Sequence, residues 1–333
     1  MLTVGQEASL LTEINAGSDI RAVALASNGE YLVSGGEDDV QVWGVEDGKQ
    51  VATLEAEDVW CLAVSKDGRW IAAGTSEGEV IVWDAKTFEK VFLHRDDIND
   101  INGVDFSPDS TRLVSASGNS TATIWDIATR RRVQTLEHGD LVTAAKYSPQ
   151  GDRIATATPD SVRVWDGNDG RLLVDIQVAV TLLFNTGLLW LDNHLLVLSD
   201  RKITQFEAST GSAVSEWPVS DSDNRSWIAL QKHGEFIAYS TERTVTFWDT
   251  ATHTQLGLIQ HLQDIRSIAV SPDDRFLAIG GEDGNITINS LSHITVSVLS
   301  CWIVVHINSW LAPIRRIRSL CQVYTPHSGN QTF

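Results

Sequence analysis

Cysteine is scarce in this chain of 333 residues. Cys61, Cys301 and Cys321 are too few for a disulfide framework and have no metal-binding spacing. A reducing compartment fits, so the cytoplasm is the expected location, with the nucleus as the second choice. Positive charge is scarce too: 25 basic residues stand against 44 acidic ones, a net charge of −19. Partners held by their phosphate backbones need the opposite balance, which disfavours nucleic acid. Residues 1–6 have neither a charged leader nor a long apolar run, so no secretory signal is expected. The nine histidines are scattered without ligand spacing, and no metal site is expected. No glycine-rich phosphate loop occurs; Gly35-Gly36 and Gly280-Gly281 read as turn glycines between strands. No Ser, His and Asp set stands out from a chain rich in all three, so no catalytic residue and no cofactor are assigned.

What the chain does have is one stretch written many times. Ser161-Val162-Arg163-Val164-Trp165-Asp166 alternates with the period of two that marks a strand. Gln41-Val42-Trp43, Ile81-Val82-Trp83-Asp84, Thr123-Ile124-Trp125-Asp126 and Thr246-Phe247-Trp248-Asp249 repeat it. Thr204-Gln205-Phe206-Glu207 and Thr287-Ile288-Asn289-Ser290 are weaker copies. The anchors fall at 43, 83, 125, 165, 206, 248 and 289, in steps of 40 to 42 residues. A steady period of that length, closing on Trp-Asp, is the signature of a propeller array. Length alone suggests about two domains. Repeats that pack only on their neighbours form one body instead.

From Asp19 onward each repeat reads as four strands joined by turns. The first runs Ile20–Ala26, Tyr31–Ser34, Val40–Trp43 and Gln50–Leu54, with Asn28-Gly29 at its first turn. Ser107-Pro108-Asp109 and Ser271-Pro272-Asp273 mark the same turn in later repeats. The fifth repeat is degraded and follows an extra loop at about 177–186. The seventh lacks an outer strand of its own, while residues 8–14 read as a strand without a neighbour in sequence. Seating 8–14 beside the last three strands closes the ring and removes two open sheet edges.

On these residues the chain resembles the seven-bladed WD-repeat β-propellers, the fold of the G-protein β subunit, over about 8–290. The resemblance implies an all-β fold closed by an N-terminal strand. It also implies a bonded tetrad of His, Ser or Thr, Asp and Trp in each blade. His138, Thr156, Asp160 and Trp165 match all four positions, as structure rather than chemistry. Ser34 with Trp43, Ser115 with Trp125, and His261 alone are fragments of it, so apolar packing must hold several blades.

The composition breaks after Asp283. No Asp or Glu follows, and Arg315, Arg316 and Arg318 are the only basic residues there. The residues before 284 therefore carry 44 acids against 22 bases, a net −22. Residues 291–333 read as an irregular tail, poorly ordered from 300. A segment translated from a wrong splice or reading frame accounts best for the break. Ser292–Ile314 is uncharged and approaches the length of a membrane span, but six polar residues weaken that reading. Residues 294–299 also compete with 8–14 for the last outer slot.

With no chemistry in view, surface is what remains. The resemblance implies that partners bind the face where the inner strands begin. Aligning the repeats gives a column there: Arg21, Trp60, Asn102, Thr143, Ser226 and Arg266. Ring closure makes Arg266, Arg21 and Trp60 neighbours, a spot suited to a partner's acidic or aromatic side chain. The structural alternative is that Asp19 and Asp264, each two residues before an Arg, pair with Arg21 and Arg266. Arg130-Arg131-Arg132 reads as a solvated turn, and Trp70 and Trp217 as packing between blades. The expected function is a non-catalytic scaffold for proteins or peptides, as a monomer or within a hetero-complex, rather than a membrane protein. Two other readings stand beside it. One is a ligand-sensing module similar to the repeat domains of fungal nucleotide-binding incompatibility receptors. The other is a propeller tethered to a membrane through the tail.

Overall fold

A computed structural model describes residues 9–95, 99–180, 187–199, 202–219, 228–230 and 234–291. The chain divides into two units, Met1–Ile294 and Thr295–Phe333. The tail beyond 291, with every expectation placed on it, lies outside the described residues, as does most of the extra loop at 177–186.

The described residues form seven antiparallel four-stranded sheets and no helix. β1 (Ser9–Asn15) comes first. Blade 1 is β2 (Ile20–Leu25), β3 (Tyr31–Gly36), β4 (Val40–Gly44) and β5 (Gln50–Leu54). Blade 2 is β6 (Val59–Val64), β7 (Trp70–Thr75), β8 (Glu79–Asp84) and β9 (Lys90–Arg95). Blade 3 is β10 (Ile101–Phe106), β11 (Arg112–Ser117), β12 (Thr121–Asp126) and β13 (Arg131–Glu137). Blade 4 is β14 (Ala144–Tyr147), β15 (Arg153–Ala157), β16 (Ser161–Asp166) and β17 (Leu172–Gln177). Blade 5 is β18 (Leu188–Leu191), β19 (His194–Ser199), β20 (Lys202–Glu207) and β21 (Ala213–Pro218). Blade 6 is β22 (Ile228–Leu230), β23 (Phe236–Ser240), β24 (Thr244–Asp249) and β25 (Gln255–Gln260). Blade 7 is β26 (Ile265–Val270), β27 (Phe276–Gly281) and β28 (Asn285–Ser290), with β1 as its fourth strand. β1 pairs antiparallel with β28 from Ser9–Ser290 to Asn15–Asn285, so the chain's beginning completes the final sheet.

The Trp-Asp pair divides two tasks. The indole fills the seam toward the preceding blade. The carboxylate builds the turn that follows: Asp84 accepts hydrogen bonds from the backbone N–H groups of Lys86 and Thr87, both at 2.9 Å. Asp126, Asp166 and Asp249 hold the same turn in blades 3, 4 and 6. The turn between the first two strands is a Ser-Asp device. Ser107 donates to Asp109 at 2.6 Å, and its oxygen accepts the Arg112 N–H at 2.9 Å. Ser65, Ser148 and Ser271 do likewise.

The core lies between the blades rather than inside them, in seven apolar clusters that each span two adjacent blades. Trp43 and Val45 pack with Ile14, Ile286 and Ile288 where the ring closes. Trp217 of blade 5 is buried, and its ring stacks on His253 of blade 6 at 4.1 Å. Gly35 and Gly280 are not turn residues as the sequence suggested; they lie inside β3 and β27. A Cβ on Gly35 would stand 2.9 Å from the Val59 side chain, and one on Gly280 would stand 2.6 Å from Ile20. The next inner strand crosses there too closely for a side chain.

Candidate protein-binding face

Four of the seven inner strands start with a defect, those of blades 1, 2, 3 and 7. β2 pairs with β3 through Ile20–Gly36 and then Ala22–Gly35, which leaves Arg21 as the extra residue of a β-bulge. Trp60, Asn102 and Arg266 are the extra residues of the same bulge in blades 2, 3 and 7. A bulge re-aims its residue out of the ladder. The backbone thus places Arg21, Trp60, Asn102 and Arg266 at equivalent positions in their blades. In blades 2, 3 and 7 a backbone bond ties the connection before the inner strand to the turn beyond the second strand: the Ser76, Gly118 and Glu282 N–H groups donate to the Asp58, Asp100 and Asp264 carbonyls at 3.0, 2.9 and 3.0 Å. The Asp58 N–H bonds the Glu37 carbonyl of blade 1 at 3.2 Å across the seam.

Three members of the column meet. The Arg21 guanidinium lies over the Trp60 ring, 5.2 Å from its centroid. Arg21 also pairs with Asp58 and, at 3.2 Å, with Glu37. Arg266 pairs with Glu282. Asp19 stands between the two arginines, 3.9 Å from each. The expected pairing of Asp19 is thus present on both sides. Asp264 instead pairs with Arg243 of blade 6 at 2.8 Å, because the blade 6 turn reaches it across the seam.

The electrostatics follow from burial and contact. Burial raises the Asp19 pKa by more than the two guanidiniums lower it. A hydrogen bond from Ser76, and then Arg21, lowers that of Asp58. Two guanidiniums therefore meet four carboxylates, two of which, Glu37 and Glu282, are 64% and 49% exposed. The spot has a surplus of negative charge.

Asn102 and Thr143 are not surface. Asn102 is 2% exposed and Thr143 is 4% exposed. Asn102 donates to the Val142 carbonyl at 2.9 Å and joins blade 3 to blade 4. The Thr143 hydroxyl donates to the Ala157 carbonyl at 3.2 Å within its own blade. Neither reaches a partner, which corrects the expectation for both. Ser226 lies outside the described residues. Arg130, Arg131 and Arg132 are exposed on the opposite face, and Arg132 lies over Trp125.

The tetrad of blade 4 is a chain of three. The Trp165 indole N–H donates to the Thr156 hydroxyl at 2.8 Å. His138 Nε2 lies 2.8 Å from that same oxygen, and His138 Nδ1 lies 3.0 Å from the Leu136 carbonyl. The set is consistent when Nδ1 carries the proton and Nε2 accepts from Thr156. Burial holds the His138 pKa down to about 4, which keeps the ring neutral. Asp160 is exposed in the turn, and among the described residues its carboxylate makes no bond to His138. The Leu136 carbonyl takes the place that the resemblance gave to Asp160. Trp43 and Trp125 donate to Ser34 and Ser115 at 2.8 and 2.9 Å. Among the described residues no group of three His, Cys, Asp or Glu is placed to hold a metal.

The sequence reading did not foresee the bulges. Their only trace is the matching offset of Arg21, Trp60, Asn102 and Arg266 from the glycine- or serine-containing second strands.

Comparison with known proteins now adds to this geometry. The family model described as the IFT122 first beta-propeller matches residues 19–290. A WD repeat-containing protein WDS homolog of Arabidopsis thaliana is 24% identical over 73% of this chain and 49% of its own length. Cilia- and flagella-associated protein 52 of Sus scrofa is 22% identical over 77% of this chain and 43% of its own length. WD repeat-containing protein 1 of Mus musculus is 39% identical, over 25% of this chain and 14% of its own length. The chain thus spans less than half the length of the curated relatives it matches most broadly.

Proposed function

The chain belongs to the WD-repeat propeller family whose model is described as the IFT122 first beta-propeller, and from that premise we propose that it is a non-catalytic scaffold for protein partners. Propellers of this family generally serve as protein-interaction platforms. The finer reading is that binding uses the face where the inner strands begin, around Arg21, Trp60 and Arg266. One observation carries it: three bulged residues from neighbouring blades converge there, with exposed Glu37 and Glu282 at the rim. Arg and Trp are the side chains that most often dominate binding energy. Because the carboxylates outnumber the guanidiniums, the complementary partner group is a Lys or Arg, not the acidic side chain expected from the sequence. Trp60, with the Arg21 guanidinium over its ring, adds aromatic surface to the spot.

The experiment is affinity capture from cell extract with the full chain and two variants. Glu37→Lys with Glu282→Lys reverses the rim while leaving the packing alone, and partner recovery is expected to fall at least about tenfold. Trp60→Ala is expected to lower it similarly. Recovery equal to wild type in both variants, with unchanged circular dichroism, rejects this face. The cytoplasm is our proposed compartment, checked by fractionation of tagged protein.

A further inference from the structure

We propose a second site, on the side of the ring between blades 6 and 7, for a partner peptide that presents an aromatic side chain next to a basic one. This site is independent of the face described above.

Six of the seven third strands carry a large aromatic residue at the anchor: Trp43, Trp83, Trp125, Trp165, Phe206 and Trp248. These rings pack into the seam with the preceding blade, as Trp83 does with Val42 and Leu54 and Trp165 with Val114 and Ile124. In β28 the anchor is Asn289. The hydroxyl that receives the indole N–H in blades 1, 3 and 4 is also missing, because Ile279 occupies that place in β27. The backbone of the anchor site is nevertheless unchanged. In blades 1 to 6 the ladder between third and fourth strands shifts register at the anchor, and β1 and β28 do the same between Leu10 and Thr12, opposite Asn289 and Ile288. The slot is built, but among the described residues the ring that fills it elsewhere is absent.

A cavity of about 500 Å³ lies at this seam. Leu258 and Ile259 of β25 line one wall, and Thr287 and Asn289 of β28 line the other. That volume is within the range of small-ligand pockets. Its mouth is apolar and open: Leu10, Leu258 and Leu262 are 57%, 49% and 87% exposed. An 87% exposed leucine on a connecting loop has no packing role in the ring. His261 holds the position that His138 has in blade 4. Its Nδ1 lies 3.0 Å from the Gln263 carbonyl, as His138 Nδ1 lies by that of Leu136, but the hydroxyl that meets His138 Nε2 has no counterpart in β27. Glu13 and Asp283 flank the cavity, and among the described residues no Lys or Arg lines it. Apolar walls with two carboxylates at the edge select a ring beside a positive charge, as hot-spot side chains pair with pockets of matching character.

The probe is the tripeptide acetyl-lysyl-tryptophyl-lysine amide, titrated into isotope-labelled full-length protein and followed by NMR. Amide shifts are expected to cluster at residues 258–263 and 283–289. Replacing the tryptophan of the probe by alanine is expected to weaken binding about tenfold or more. Asn289→Trp supplies the missing ring from within, so it should abolish probe binding and raise Tm by about 2–4 °C. Leu262→Asp alters a side chain that packs on nothing and keeps the test usable if the tryptophan variant does not fold; it is expected to weaken binding about tenfold. Wild-type binding in both folded variants overturns the site. So does equal binding of the alanine probe, or shifts centred on Arg21 and Arg266. Absence of binding also overturns it. A dimer in sedimentation that Leu262→Asp dissociates gives the site to a second copy and overturns the peptide reading.

Discussion

Thr156 shows how one hydroxyl can serve two buried groups. It accepts from the Trp165 indole and donates to His138 Nε2, and the second contact requires a neutral imidazole. Burial holds the His138 pKa near 4, below its ordinary value of 6.5. A protonated His138 is therefore disfavoured in the fold and free to form in the unfolded chain. Stability contributed by this group is full above pH 6.5 and is lost as pH falls toward 4. The loss is on the order of 2 kcal/mol, read as a fall in the urea midpoint across that window. Thr156→Val should lose about 1–3 kcal/mol already at pH 7, since it orphans the indole N–H. His138→Gln, which does not titrate, should flatten the acid limb; a profile with equal slope in wild type and that variant would place the titration elsewhere. The sequence supplied the right three residues here. It could not reveal that Asp160 stands outside the chain, because a nearby carbonyl, which carries no sequence signal, takes its place.

Single strands decide whether the ring closes. β1 contributes Ile14, 3% exposed, to the cluster that also holds Trp43, Ile286 and Ile288. Ile14→Asp would bury an unpaired carboxylate among these groups, at a cost of more than about 3 kcal/mol. The expected readout is a lower urea midpoint and early proteolytic cutting near 285–290; an unchanged midpoint would mean that β1 is dispensable. Strand assignment was legible because alternation and turn chemistry agree, and Gln50–Leu54 is the same span by both routes. Ends differed by one or two residues, as at Ile20–Leu25, where Ala26 bonds back to Tyr31 across the turn. The bulges escaped notice because an extra residue changes register without changing composition.

The molecule as a whole carries its charge unevenly in sequence: net −22 before residue 284, and only arginines after it. If the binding face recognises basic groups, that field also speeds encounter. Partner capture should therefore fall when salt rises from about 50 mM to about 500 mM, as the screening length contracts. Capture that is indifferent to salt would favour an apolar contact through Trp60 alone. The ring architecture was readable from the anchor spacing, since seven similar units admit few closed arrangements. The open slot at Asn289 was readable only as a weak copy of the repeat. Its meaning appears when the neighbouring blade is in place. The relatives carry names as unlike as a flagella-associated protein and a WDS homolog, so the shared ring does not fix the partner.

The pairing of Ser9 with Ser290 has a consequence for synthesis. The ribosome releases β1 before the seven blades' other strands, yet its mate among the described residues emerges some 280 residues later. Until then the nascent chain trails a naked, hydrogen-bond-hungry ribbon while six finished sheets stack behind it. At elongation speeds of about 5–20 residues per second, that wait lasts on the order of tens of seconds. Chaperone dependence during translation, rather than after it, is the natural result.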